Sequence, residues 1–269
     1  MAAFGASSER KVDSILIVIA MEAEARPFLA LMGLQPAGPL GAAPCELYQG
    51  IYSGCNVAVV TNGKCSVNGV DNVGTTPAAL AAFVAINHFK PTLIINAGTA
   101  GGFKARGALI GDPFVSTAFR HHDRRIPIPG FEAYGKGNHA SHPVPNLIKQ
   151  LGFKCGVVTT GNSLDYTDMD VKIMLENEAS VKDMEGAAIA WIAALSQTPL
   201  IALKVVTDIV DGDRPSHEVR REGITLAPHA RLTCTSIYAG VYGEPRHGSA
   251  VPAECSSPRA RLCHRQVSA

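Results

Sequence analysis

No stretch of the 269-residue sequence holds the roughly 18 consecutive apolar residues that a membrane-spanning helix requires, and the opening MAAFGASSERK has no apolar run of the secretory kind. The expectation is a cytoplasmic protein with no membrane partner. Cys-x-x-Cys pairs are missing too. The seven cysteines, Cys45, Cys55, Cys65, Cys155, Cys234, Cys255 and Cys263, are odd in number and widely spaced, so they read as reduced thiols rather than a disulfide or zinc framework. An excess of one charge is likewise absent: 24 Lys and Arg stand against 23 Asp and Glu, which gives no general pull toward nucleic acid. Two phosphate-binding fingerprints are also wanting. Gly98-Thr99-Ala100-Gly101-Gly102 lacks the G-x-G-x-x-G spacing, and Gly63-Lys64-Cys65 lacks the upstream glycine and the hydroxyl residue of a phosphate loop. The adjacent His121, His122 and Asp123 do not have the spacing to converge on one ion, and the same holds for His139 and His142. Neither a metal nor any other cofactor is expected.

What is present is a core. A hydrophobic content of 46% with 17% charged residues suits one large α/β domain or two small ones. Ser14 to Ala20 is an apolar run of strand length, and Met21 to Met32 follows with helix formers that stop at Gly33. Cys45 to Ile51 and Cys55 to Thr61 read as strands joined at Ser53-Gly54. Val70 to His88 contains a helix, and Thr92 to Ala97 is a buried strand running into a glycine-rich turn. Ala108 to Thr117 is a further strand, followed by a charged loop from Phe119 to Gly137. Lys154 to Thr160 and Ser180 to Glu185 are strands, a helix between them carries Met174 and Leu175, and Gly186 to Leu195 is apolar all round, as a buried helix would be. Strands alternating with helices predict a three-layer α/β domain with a largely parallel or mixed central sheet.

Ligands of such folds gather at strand ends, and three carboxylates stand there. Pro199 to Val206 is a hydrophobic strand, and Thr207, Asp208, Asp211 and Asp213 follow where it must leave the sheet; Asp208 is either a working acid or part of a turn or helix cap. Glu24, with Glu22 beside it, falls in the first turn of the helix after Ala20, where the helix dipole favours a carboxylate whatever its task. Glu185 heads an almost wholly apolar helix, an unusual place for a merely solvated acid.

Five motifs in order carry a resemblance: Ala20-Met21-Glu22-Ala23-Glu24, Asn96 to Gly102 (NAGTAGG), His122 to Pro127 (HDRRIP), Asp183 to Ala188 (DMEGAA) and Thr207 to Asp211 (TDIVD). Over about Ser14 to Pro215 the sequence resembles the plant-type 5'-methylthioadenosine/S-adenosylhomocysteine nucleosidases, within the nucleoside phosphorylase and hydrolase fold. The resemblance implies hydrolysis of the bond between adenine and a thioribose in methionine salvage. By it, Asp208 is the acid that protonates the purine at N7, and Glu24 is the base that activates water. Glu185 would accept hydrogen bonds from the ribose hydroxyls. Met21 and Met184 would pack the ribose and thioether, Thr99 and Gly102 would border the base, and Thr207 would orient Asp208. Leu164 would cover adenine, Asp165 would meet it through its backbone, and Lys204 would either assist Glu185 or form a structural ion pair. The resemblance further implies a small nucleoside as the only ligand and a homodimer in which His121 to Gly130 closes the partner's pocket. Asn162 stands where the family usually has an aspartate.

Past about Ser216 the pattern changes. All ten lysines lie before that point, while the remainder has seven arginines, three cysteines and no sustained periodicity. The switch is that of a changed reading frame or an alternative splice product, and residues 216–269, like 1–13, are expected to be largely disordered.

Overall fold

The computed structural model describes residues 12–52 and 54–212. The chain runs β1 (Ser14–Ile19), α1 (Glu22–Met32), β2 (Gln35–Pro39), β3 (Glu46–Tyr52), β4 (Cys55–Thr61), α2 (Thr75–Phe89), β5 (Leu93–Gly102) and β6 (Pro113–His121). It continues through α3 (Glu132–Lys136), β7 (His139–Ala140), α4 (Pro145–Leu151), β8 (Lys154–Thr160), α5 (Asp168–Glu176), β9 (Ala179–Asp183), α6 (Gly186–Leu195) and β10 (Leu200–Ile209). The expected α/β architecture with a mixed central sheet is present. The tail expected to be disordered, Asp213 and residues 1–11 lie outside the described residues.

Strand β1 shows why its sequence is a continuous apolar run. Leu16 and Val18 face a core shared with Ala58, Val60 and the alanines of α2 and α6, whereas Ile15, Ile17 and Ile19 face a second core with Val57, Val59 and Ala25, Phe28 and Met32 of α1. Both faces of the sheet are therefore covered, and alternate side chains have no solvent to meet. Gly33 stops α1 in the left-handed conformation, with φ of 63°, that glycine adopts without a Cβ penalty. The four described cysteines are free thiols.

Among the described residues the sheet has ten strands, and part of it closes on itself. β10 pairs with β5 along one edge and with β6 along the other, and β6, β8, β9 and β5 pair in turn, so five strands make a ring. From β5 an open wing continues through β1, β4, β3 and β2. Strand β5 belongs to both parts. Its edge opposite β10 pairs with β1 up to Asn96 and with β9 only from Gly101. Between those limits the edge changes neighbours, and such a switch point is where an α/β sheet opens a ligand crevice.

Three sequence expectations need correction. The glycine run Gly98 to Gly102 is strand, not turn, because β10 pairs with it to its last residue. Asp208 lies within β10 rather than beyond its end. β6 extends to His121, and His121 and His122 are buried within the chain, so the charged loop begins later than its composition suggests.

Candidate active site

A cleft opens at the switch point, walled by Ala20, Met21 and Glu24, by Ala97, Gly98, Thr99 and Gly101 of β5, by Lys182 to Glu185, and by Lys204 and Asp208 of β10; Val73 and Leu164 complete it. Of the residues expected from sequence, the structure thus brings together Met21, Glu24, Thr99, Leu164, Met184, Glu185, Lys204 and Asp208. Thr207 stands behind Asp208. Gly102 and Asp165 are not among the walls: Asp165 is exposed, and a side chain on Gly102 would run into Ala108 and Val206 in the core. Gly101 holds the position anticipated for Gly102.

Glu22 and Glu24, alike in sequence, part company. Glu22 bonds Lys64 at 2.6 Å and Arg26 at 2.7 Å, and those cations, Lys64 first, hold its carboxyl down at about 2. Glu24 turns inward and is buried. Its Oε1 accepts the Thr99 backbone N–H at 2.9 Å and the Thr99 hydroxyl at 2.7 Å, so Oε2 takes neither bond. A Cβ on Gly98 would lie 3.4 Å from Oε2, in contact with the Glu24 carboxyl at the cleft floor.

Asp208 owes its direction to a backbone irregularity. The register of β10 against β5 passes from Val206↔Ala100 to Asp208↔Gly101, leaving Thr207 as the extra residue of a β-bulge. Without it, Val206 and Asp208 would share a face. Instead an added Cβ on Gly102 meets Val206, while one on Gly101 meets Asp208 and Val210, so the two side chains lie on opposite faces. The bulge sends Val206 to the core and Asp208 to the cleft. The Thr207 hydroxyl lies 2.9 Å from Asp208 Oδ1 and 3.4 Å from the Ala100 carbonyl oxygen.

Glu185 occupies the N-cap of α6 but makes no capping bond with its side chain. The capping comes from elsewhere. Asp183 Oδ2 accepts the Gly186 N–H at 2.9 Å, and the Thr160 hydroxyl accepts the Ala187 N–H at 2.9 Å while donating to Asp183 Oδ1 at 2.6 Å. Glu185 is thereby released to face the cleft, where its Oε1 accepts the Gly74 N–H at 3.1 Å. Lys204 Nζ lies 2.9 Å from Asp183 Oδ2, both side chains essentially without solvent exposure. Burial opposes both charges, yet their mutual attraction outweighs it, holding Asp183 below and Lys204 above their ordinary values. The alternatives for Lys204 resolve to an ion pair with Asp183. For Glu185, burial first and the Asp183 charge next push the carboxyl up to about 7. Removing Lys204 alone would strand a buried carboxylate, a change costing about 3–5 kcal/mol.

Sequence reasoning missed the roles of Asp183, Thr160, Gly101, Lys182 and the Gly74 amide. The available signal was Asp183 two residues before Glu185. The Lys182 ammonium donates to the carbonyls of Ser163 and Leu164, both at 2.9 Å, and so fixes the loop that brings Leu164 to the cleft. Within the charged loop, Arg125 pairs with Asp170 and Arg124 lies 5.0 Å from the Tyr134 ring centre, so it is tied to its own chain.

The chain with this partly closed mixed sheet and its buried carboxylates at the switch point matches the family model of the phosphorylase superfamily over residues 14–237. That match continues past residue 215, where the sequence alone placed the end of the domain. The chain is 45% identical over 224 residues to the 5'-methylthioadenosine nucleosidase of Arabidopsis thaliana, covering 82% of this chain and 84% of that one. To the 5'-methylthioadenosine/S-adenosylhomocysteine nucleosidase of the same plant it is 44% identical over 220 residues, 80% of this chain and 85% of that one. The apo structure of the Arabidopsis 5'-methylthioadenosine nucleosidase superposes with a TM-score of 0.83 at 42% identity, covering 88% of this chain and 98% of that one. The chain belongs to the 5'-methylthioadenosine/S-adenosylhomocysteine nucleosidase family of that superfamily.

Proposed function

We propose that the protein hydrolyses the N-glycosidic bond of 5'-methylthioadenosine, releasing adenine and the thioribose, with S-adenosylhomocysteine as the second substrate to test. Asp208 gives its proton to purine N7 as the bond from the anomeric carbon to N9 breaks, so that adenine leaves neutral. Glu24 takes a proton from water as the water oxygen bonds to the anomeric carbon, whose oxocarbenium character is greatest in the transition state. Glu185 accepts the ribose hydroxyls and sets negative charge beside that developing cation. Met21, Met184 and Leu164 supply the apolar contacts.

The observation that carries hydrolysis over phosphorolysis is the commitment of the cleft's cations. The lining contains Lys182 and Lys204, the first bonded to two carbonyls and the second to Asp183, amid the carboxyl groups of Glu24, Glu185 and Asp208. A phosphate dianion needs cationic or amide anchors there, whereas water needs only a base. Adenine release by the full-length protein, with and without phosphate, tests the reading. Release that ignores phosphate and falls by about a thousandfold in Asp208→Asn is expected; release only with phosphate, or none from folded protein, overturns it. We also propose a homodimer. Its support is apolar surface on two adjoining helices, Leu80 and Phe83 of α2 and Trp191 and Leu195 of α6, and a monomeric mass by sedimentation would refute it.

A further inference from the structure

We propose that Lys182 and Tyr166 form a clasp tying the loop that carries Leu164 to the strand that carries Asp208, so that one joint sets both the cover of the base and the acid that protonates it. The inference rests on the nucleosidase reading above, in which Leu164 lies over adenine. Leu164 is 37% exposed and belongs to neither a helix nor a strand, so no ladder or closed core fixes its direction. Lys182 does. It is buried, and its ammonium donates to the carbonyls of Ser163 and Leu164, both at 2.9 Å. Those carbonyls belong to the two planar peptide units on either side of the Leu164 Cα, and holding both leaves its Cα–Cβ bond one direction. A buried ammonium cannot release such partners without the cost of an unsatisfied charge.

Tyr166 carries the joint onward. Its ring lies 5.9 Å from the Lys182 ammonium, within range of a cation–π attraction, and packs on the small core of Phe103, Met174, Ala179 and Val210. Its hydroxyl donates to the Val210 carbonyl at 2.6 Å. Val210 is the first residue after β10 and the second after Asp208, and its own N–H donates to the Gly102 carbonyl at 2.8 Å. The Tyr166 bond therefore holds the chain just past the end of the strand. The sheet closes the circuit, since Lys182 of β9 stands opposite Gly101 of β5, and Gly101 stands opposite Asp208 of β10. Lys182 and Asp208 are thus joined twice, once across Gly101 and once through Tyr166 and Val210. Tyr166 stands outside the cleft wall, and Lys182 is committed to protein carbonyls, so both act on the substrate through Leu164 and Asp208.

The test compares full-length wild type, Tyr166→Phe, Lys182→Met and the double variant by calorimetric binding of adenine and of 5-methylthioribose, by steady-state adenine release from 5'-methylthioadenosine, and by thermal melts. Tyr166→Phe keeps the ring and removes only the hydroxyl. Each single variant is expected to weaken adenine binding and lower kcat/KM by about tenfold, with 5-methylthioribose binding kept within about twofold and the Tyr166→Phe melting transition retained. Because the two residues serve one joint, the double variant should exceed the worse single by no more than about threefold, whereas independent roles would multiply to about a hundredfold. Adenine affinity of Tyr166→Phe within about twofold of wild type overturns the proposal. So do equal losses for adenine and 5-methylthioribose, multiplied losses in the double variant, or a loss that follows melting temperature across the series. Adenine binding is read without turnover, so a wild type that binds adenine but releases none from 5'-methylthioadenosine overturns the nucleosidase reading instead, and the two failures are distinct.

Discussion

At the scale of single residues the site is a division of labour among carboxyl groups that the sequence writes identically. Glu22 is neutralised at the surface, Asp183 is consumed by Lys204 and the α6 N-terminus, and Glu185 is left with a carboxyl raised to about 7 by burial and by Asp183. The sign of the consequence follows directly. Below about pH 7 the free protein carries Glu185 protonated, and a protonated carboxyl sets no negative charge beside the developing cation and turns one of its oxygens into a donor. For wild type, kcat/KM for adenine release should therefore rise with pH across the range around 7. Glu185→Gln should lose that limb and lower kcat/KM by roughly a hundredfold to a thousandfold. A pH–rate profile of the two proteins decides it: an unchanged limb in the variant would assign the titration to another group.

At the scale of elements the decisive features are the bulge in β10 and the glycines of β5. Asp208 reaches the cleft because Thr207 is extra, and because Gly101 beside it has no side chain. A Cβ there would approach Val210 Cγ2 at 2.8 Å and Asp208 Oδ2 at 3.0 Å. Gly101→Ala should consequently displace the acid, and misplacement of a reacting group by about 1 Å costs on the order of a hundredfold in rate. Gly102→Ala provides the contrast, since its Cβ would strike Ala108 and Val206 at 2.7 and 2.8 Å in the core. It should lower stability by about 1–3 kcal/mol through overpacking with a much smaller loss of kcat. Thermal melts and kcat measured on both variants test the assignment, and equal losses of kcat would refute it.

At the scale of the whole molecule, the end of β6 and the residue after it place two histidines in the interior, where burial first, aided by Arg124 for His121 and Lys182 for His122, holds each imidazole down at about 4. A histidine kept neutral in the folded state stabilises it above the unfolded pKa of about 6.5. That stabilisation is lost as pH falls from there through about 4, because the unfolded chain takes up protons the native state refuses. Glu185 acts in the opposite sense across part of the same window, since its raised pKa favours the native state at lower pH. One carboxyl offsets one of the two imidazoles, which leaves about 3 kcal/mol of acid sensitivity from this set. Melting temperature should drop between pH 6.5 and 4, with a shallower slope in His122→Gln. Equal slopes in the two proteins would show that His122 is not responsible.

Much of this molecule was legible in its sequence, for a physical reason. A strand covered on both faces must be apolar throughout, so β1, β8 and α6 could be bounded closely, and a carboxylate following such a run stands out, as Glu24, Glu185 and Asp208 did. Local sequence also determined the stop at Gly33. It could not reveal where a strand finds its partner. Whether Gly98 to Gly102 is turn or strand depends on β10, more than a hundred residues away. Which of Glu22 and Glu24 turns inward depends on Lys64 and Thr99, and which face Asp208 takes depends on a bulge visible only in the register of two paired strands. Those decisions rest on long-range hydrogen bonds and charge pairs, which exist only once the chain has folded.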